Sequence, residues 1–372
     1  MDRINWIDWA KAAAVTTVVF CHLPQSQDWF YYRYLQATII TIFFFLSGYL
    51  KKERPSQRDN WRKYWHSLVI PYVLLNLIVY PFWIVKFMMM NGDWPTVADS
   101  LKPLVGALLM QHEASFCCHL NGPLWYLPAV LLMHLLTDLS RRMRHPHWFM
   151  ISCCVASVVL YAMYKHWGFA HSLTPVGFFR RLPYFYLGYV MGRQQKMRNW
   201  ENEKMRKFSQ SPNLSFSQSL HLSFSQSLHF SLLCAACFAL SLQFFYWHLH
   251  EEQILWHIAL FYPVCLLFLF GVVFGSKLID SLHLGCTYKE AQPCVTQAPK
   301  VVTTLSVGTL LVIGLHEPFI TVANYIVRLL FHTQSTPAYQ WYEALPIALL
   351  ITALLYPVIL LTRRHFPVLM GR

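Results

Sequence analysis

Apolar runs of about 18 residues or more recur from one end of this 372-residue chain to the other, and nothing else constrains its fold as strongly. A helix of about 20 apolar residues crosses the hydrocarbon core of a bilayer. It also satisfies its own backbone hydrogen bonds where water cannot. Hydrophobic residues make up 56% of the chain and charged ones 13%, against about 25% charged in a soluble domain. The sequence therefore predicts an all-α, polytopic transmembrane helical bundle of about ten spans, near 5–24, 34–50, 67–90, 122–137, 148–165, 174–192, 229–248, 254–275, 301–327 and 344–362. The first run has a short, acidic lead and no small-residue cleavage site, so it is expected to stay as a span. No second, soluble domain is visible, and residues 1–372 read as one integral membrane domain.

Orientation follows from the basic residues. If the N-terminus is cytoplasmic, the inner segments hold Arg3, the cluster in 51–66, Arg141, Arg142 and Arg144, the cluster in 193–207, Lys277, Lys289, Lys300, Arg363, Arg364 and Arg372. The opposite side holds only Arg33, Lys102, Lys165 and Arg328. This is the positive-inside pattern, and it places both termini in the cytoplasm. It also accounts for the net charge of +13 without nucleic acid as a partner. Residues 91–121 form a long outer segment with an amphipathic stretch at 99–111. Residues 193–228 read as a cytoplasmic loop, basic at first, then carrying a tandem duplication, SFSQSLHL at 215–222 and SFSQSLHF at 223–230. One tandem copy is too short for a repeat architecture.

Ionisable groups inside spans are costly and so are candidates for function. The first run, WIDWAKAAAVTTVVFCHLP, carries three: Asp8, Lys11 and His22. Lys11 and His22 lie about 16 Å apart along a helix, which puts Lys11 in the inner half of the bilayer and His22 deeper or further out. The bland alternative is a snorkelling Asp8–Lys11 pair and an interfacial His22. In the ninth span His316 and Glu317 sit well inside an apolar stretch, and Arg180 and Arg181 lie within the sixth. The third span opens with Arg62 and Lys63 in WRKYWHSLVIPY, placed to meet a phosphate-rich soluble donor or simply to anchor the helix. Ser47–Gly48 ends the second span, where small residues let another backbone approach. Trp125 opens the fourth, with Tyr126, as an interfacial aromatic.

Other chemistry is not signalled. There is no GxSxG, Walker or GxGxxG pattern, and the His134–Asp138 run reads as coincidence. The ten cysteines lie mostly in apolar runs or as neighbours such as Cys117–Cys118 and Cys153–Cys154, which argues against a disulfide framework. His283, Cys286 and Cys294 match no zinc spacing, so no metal is expected.

In order along the chain, these residues resemble the acyltransferase-3 family of integral membrane acyltransferases, which includes bacterial O-acetyltransferases of surface polysaccharides. Asp8, Lys11 and His22 fall on that family's Asp-x-x-Arg followed by histidine, with lysine in place of arginine. Phe44, Phe45, Ser47 and Gly48 match its FF-x-x-SG element, and Ile70, Pro71 and Tyr72 its Ile-Pro-Tyr, with Ser67 where an arginine is usual. Leu124 to Leu127 match Leu-Trp-Phe-Leu, Pro183, Phe185 and Gly188 match Pro-x-Phe-x-x-Gly, and His316 with Pro318 matches a late-span histidine and proline.

The resemblance implies transfer of an acyl group, acetyl above all, from cytoplasmic acyl-CoA as co-substrate to a hydroxyl. It implies His22 as general base or transient acyl carrier and His316 as its partner or a second base. Lys11, Arg62 and Lys63 would contact donor phosphates, with Ser47 and Gly48 on the donor side. Asp8, Arg180, Arg181, Trp125 and Glu317 would line the cavity. Surface glycan, lipid-linked sugar, peptidoglycan and small metabolites are all open as acceptors, and the expected location is the bacterial inner cell membrane. The competing reading is a transporter or flippase for a sugar or lipid-linked intermediate; inverted repeats would favour it, and the halves show none. A non-catalytic scaffold fits the buried histidines and arginines less well.

Overall fold

In the computed structural model, which describes residues 4–26, 28–54, 56–109, 120–167, 173–208, 216–286, 298–332 and 338–371, the chain is helical throughout, with no strand among the described residues. Thirteen α-helices follow one another among these residues. They are α1 (Asn5–His22), α2 (Phe30–Thr38), α3 (Ile40–Tyr49), α4 (Gln57–Tyr64), α5 (Ile70–Asn91), α6 (Val97–Leu108), α7 (Tyr126–Ser140), α8 (Pro146–Trp167), α9 (Leu173–Phe208), α10 (Phe216–His250), α11 (Ile254–Cys286), α12 (Lys300–Phe331) and α13 (Trp341–His365).

Among the described residues, six stretches are long and apolar enough to cross a membrane: Gln57–Asn91, Pro146–His166, Ser227–His250, Leu255–Leu282, Lys300–Phe331 and Trp341–His365. Their outer faces carry bare apolar side chains, among them Leu77, Val155, Val159, Leu232, Leu349 and Leu354. Lipid is the solvent such faces suit. The remaining expected spans are helical but different in kind. At nine, ten and 15 residues, α2, α3 and α7 fall short of the length a single crossing needs, while α1 carries Asp8 and Lys11. The segment read as a loop at 193–228 is largely helix, because α9 runs to Phe208 and α10 begins at Phe216. Its basic part is built mainly from Gln, Lys, Met, Arg and Glu, all strong helix formers. Cys117, Cys118 and Cys294 lie outside the described residues.

The helices form two compact units. The first comprises Met1–Ala14, Ala37–Lys51 and Tyr184–Ser306. Glycine sets its central crossing: a Cβ on Gly48 would strike the backbone of Phe185, one on Gly188 that of Phe45, and one on Gly192 that of Tyr49. The backbones of α3 and α9 therefore touch directly, the close approach that small residues permit. Phe44 and Phe45 are buried beside this crossing. Within α10 and α11, Phe238 meets Phe268 edge-on at 5.7 Å, and the Ser241 hydroxyl donates to the Val264 carbonyl at 2.8 Å.

The second unit comprises Val15–Gln36, Lys52–Pro183 and Val307–Arg372. Pro71 cannot donate to the Ser67 carbonyl and its ring crowds that oxygen. The helix accommodates it by widening into a π turn at Trp65–Val69 between α4 and α5. Gly371, at φ +70°, lies against this carbonyl so closely that a Cβ would come within 2.6 Å of it. On α5, Tyr72 donates to the Ala107 carbonyl at 2.6 Å and Tyr80 to that of Ser100 at 2.9 Å, which fastens α6 alongside. The Tyr64 hydroxyl donates to Asp138 at 2.8 Å while His134 stacks on the Tyr64 ring at 5.1 Å, so the His134–Asp138 run ties α7 to α4.

Candidate active site

His22 ends α1, where the last carbonyls lose their helical partners. The chain supplies replacements. Gln25 donates to the Phe20 carbonyl at 2.8 Å and the Tyr32 hydroxyl to that of Cys21 at 3.1 Å. Beyond the turn, the Pro24 carbonyl accepts from the Tyr339 amide at 2.8 Å, and the Tyr339 hydroxyl donates to Asn324 of α12 at 2.9 Å. The exit of α1 is thus fastened to α12.

That fastening brings the two sequence-predicted histidines together. The rings of His22 and His316 meet edge to face, with centroids 4.7 Å apart and planes 79° apart. His316 is fully buried, whereas His22 is exposed. In each ring Nδ1 lies 2.8 Å from the carbonyl four residues back, Val18 for His22 and Val312 for His316. A carbonyl only accepts, so Nδ1 carries the proton in both. In the neutral form of either imidazole the lone pair is then on Nε2. For His316 this Nε2 is buried with no hydrogen-bond partner among the described residues.

A cavity of about 410 Å³ opens at His22. Its described walls come from α5 (Val79, Phe82, Trp83, Lys86), from the segment before α7 (Leu120, Gly122, Pro123, Trp125) and from α12 (Glu317, Pro318, Ile320, Thr321). The arrangement offers one basic nitrogen, one carboxylate, one ammonium and two indoles around a single space, a predominantly apolar pocket with few polar groups. Trp125 has its place because Gly177 faces it without a side chain; a Cβ there would collide with the indole. Gly122 allows Glu317 in, since a Cβ at 122 would stand 3.3 Å from Oε1.

His22, His316, Trp125 and Glu317 therefore form one site. Arg180 and Arg181 belong to the same unit but do not line the cavity: Arg181 is buried, and the Arg180 guanidinium lies over the Tyr161 ring at 5.6 Å. Arg62 is exposed and Lys63 half-buried on α4. Asp8, Lys11, Ser47 and Gly48 belong to the first unit. There the buried Ser306 hydroxyl donates to the buried Asp8 at 2.5 Å, and Lys11 is half-buried. Sequence reading missed Trp83 and Lys86 as wall residues; a lysine inside the third apolar run was the signal.

No curated protein and no solved structure matches the chain. Residues 4–364 match the family described as Acyltransferase domain, acyltransferase type 3. With its apolar crossing helices, the chain thus belongs to the acyltransferase-3 family and is a multi-pass membrane acyltransferase.

Proposed function

We propose that the protein moves an acyl group, acetyl above all, from cytoplasmic acyl-CoA to a hydroxyl of a sugar or cell-surface glycan. It does so from about ten membrane passes in the inner cell membrane, with both termini in the cytoplasm. The observation that carries this reading is the His22 ring: its Nδ1 is committed to the Val18 carbonyl, and it stands at the cavity where Lys86, Glu317 and Trp125 converge.

His22 Nε2 takes the proton of the acceptor hydroxyl as the oxygen attacks the thioester carbonyl. The O–C bond forms and the C–S bond breaks. The departing thiolate recovers the proton from the imidazolium. His316 packs edge to face behind His22, whose ring the Val18 carbonyl holds in the Nδ1–H orientation. Lys86 and Glu317 suit hydrogen bonding to further hydroxyls, and the indole of Trp125 the apolar face of a sugar ring. Arg62 and Lys63 take the donor side, where the cations meet its phosphates. Asp8, Arg180 and Arg181 support the interior.

Membranes carrying the wild-type chain and radiolabelled acetyl-CoA should label a surface glycan, and His22→Ala should abolish the label while the protein stays inserted. Labelling that survives His22→Ala overturns the assignment. Movement of a sugar across the membrane without any labelling favours transport instead.

A further inference from the structure

Pro318 lines the cavity two residues after His316, inside α12. A proline has no N–H, so the carbonyl four residues back, that of Gly314, loses its helical donor. A buried carbonyl left bare is expensive. Here it is filled from outside the helix: Asn121 Nδ2 donates to Gly314 O at 2.7 Å across 193 residues of sequence. Asn121 is fully buried, and its own Oδ1 has no hydrogen-bond partner among the described residues. Among the described residues, the contact with Gly314 is thus the hydrogen bond that places this carboxamide. Directly after Asn121 come Gly122, Pro123 and Trp125, all cavity wall, with Gly122 tight against Glu317.

We propose that Asn121 is the positioning residue of this site. Its carboxamide closes the backbone gap that Pro318 opens, and so clamps the Gly122–Trp125 turn onto the part of α12 that carries His316 and Glu317. The clamp also keeps solvent from His316. The clamp itself is independent of the acyl group transferred; only its kinetic consequence rests on the acyl-transfer reading above.

The test uses the full chain, purified in detergent, and the imidazole reagent diethyl pyrocarbonate, with modification followed at His22 and His316 by mass spectrometry. In the wild type His22 reacts and His316 is protected. Asn121→Ala, and Asn121→Leu, which keeps the size but loses the donor, should raise the His316 modification rate about tenfold. Pro318→Ala returns an N–H to the Gly314 carbonyl. In that background Asn121→Ala should change the His316 rate by less than about twofold.

His316 protection unchanged in both Asn121 variants overturns the proposal, as does an equal gain in the two backgrounds. If the single variants fail to fold, Pro318→Ala must restore folding to Asn121→Ala, and failure to do so also overturns it. In a kinetic arm, Asn121→Leu should lower kcat for acyl transfer and leave the acyl-CoA KM unchanged. The expected labelling pattern with no transfer by any form, wild type included, would keep the clamp and remove the acyl-transfer reading.

Discussion

The indole of Trp125 occupies the space that a side chain on Gly177 would fill. The cavity wall thus depends on a missing methyl group on α9. Gly177→Ala should push Trp125 off its place at an overpacking cost of about 1–3 kcal/mol. We expect acyl transfer to fall about tenfold in kcat/KM for the acceptor, with normal membrane insertion. Activity equal to wild type would show that Trp125 contributes no contact to the acceptor.

The contact between α3 and α9 is backbone on backbone. Gly188→Val must separate the two helices at Phe45, and Gly48→Val must do so at Phe185. Each should cost about 3 kcal/mol or more, since no flexible side chain is there to yield. Thermal unfolding of the detergent-solubilised protein should show a clear drop in Tm for both, while Gly92→Ala, where a Cβ meets open space, should suffer only the strain of its φ of +80°.

The Tyr64–Asp138 hydrogen bond can be weighed by a double-mutant cycle. Tyr64→Phe withdraws a donor from a half-buried carboxylate and should destabilise by about 1–2 kcal/mol. Asp138→Leu added to it should cost less than the sum of the two single changes, because the carboxylate that lost its donor is gone. Strict additivity of the unfolding free energies would mean that the bond contributes nothing.

At the start of α6 the Asp99 carboxyl is held below the ordinary carboxylate range by the Lys102 ammonium at 2.8 Å and the Thr96 hydroxyl at 2.7 Å. A depressed carboxyl stabilises the helix start in full above its unfolded value of about 3.9, and this is lost as pH falls through the folded value. Hydrogen exchange of the first α6 amides, corrected for intrinsic rates, should stay constant from pH 7 to 5 and speed up below about pH 4. Asp99→Asn should remove that pH dependence.

The histidines were legible in the sequence because a titratable group in an apolar run stands out at any fold, and His22 and His316 proved to be ring neighbours. The Pro318 interruption was equally visible, but its remedy was not. The partner of the Gly314 carbonyl lies 193 residues away in a segment with no periodic signal, and only folding reveals it. Gly177 was silent for a similar reason: a glycine announces freedom without saying which ring fills the space. The run at His134–Asp138 looked like chance because its meaning, a stack and a hydrogen bond on Tyr64, belongs to tertiary packing. Lys86 was written plainly in the third run and lacked only a neighbour to give it a role.

His316 and Glu317 are consecutive on one helix, so their side chains leave it about 100° apart. One is sealed behind His22, and the other faces the cavity. A small roll of α12 about its own axis must therefore swing both at once, loosening the imidazole pair as it advances or withdraws the carboxylate. The imidazole pair and the carboxylate are geared together, and selection acting on one cannot retune it without turning the other.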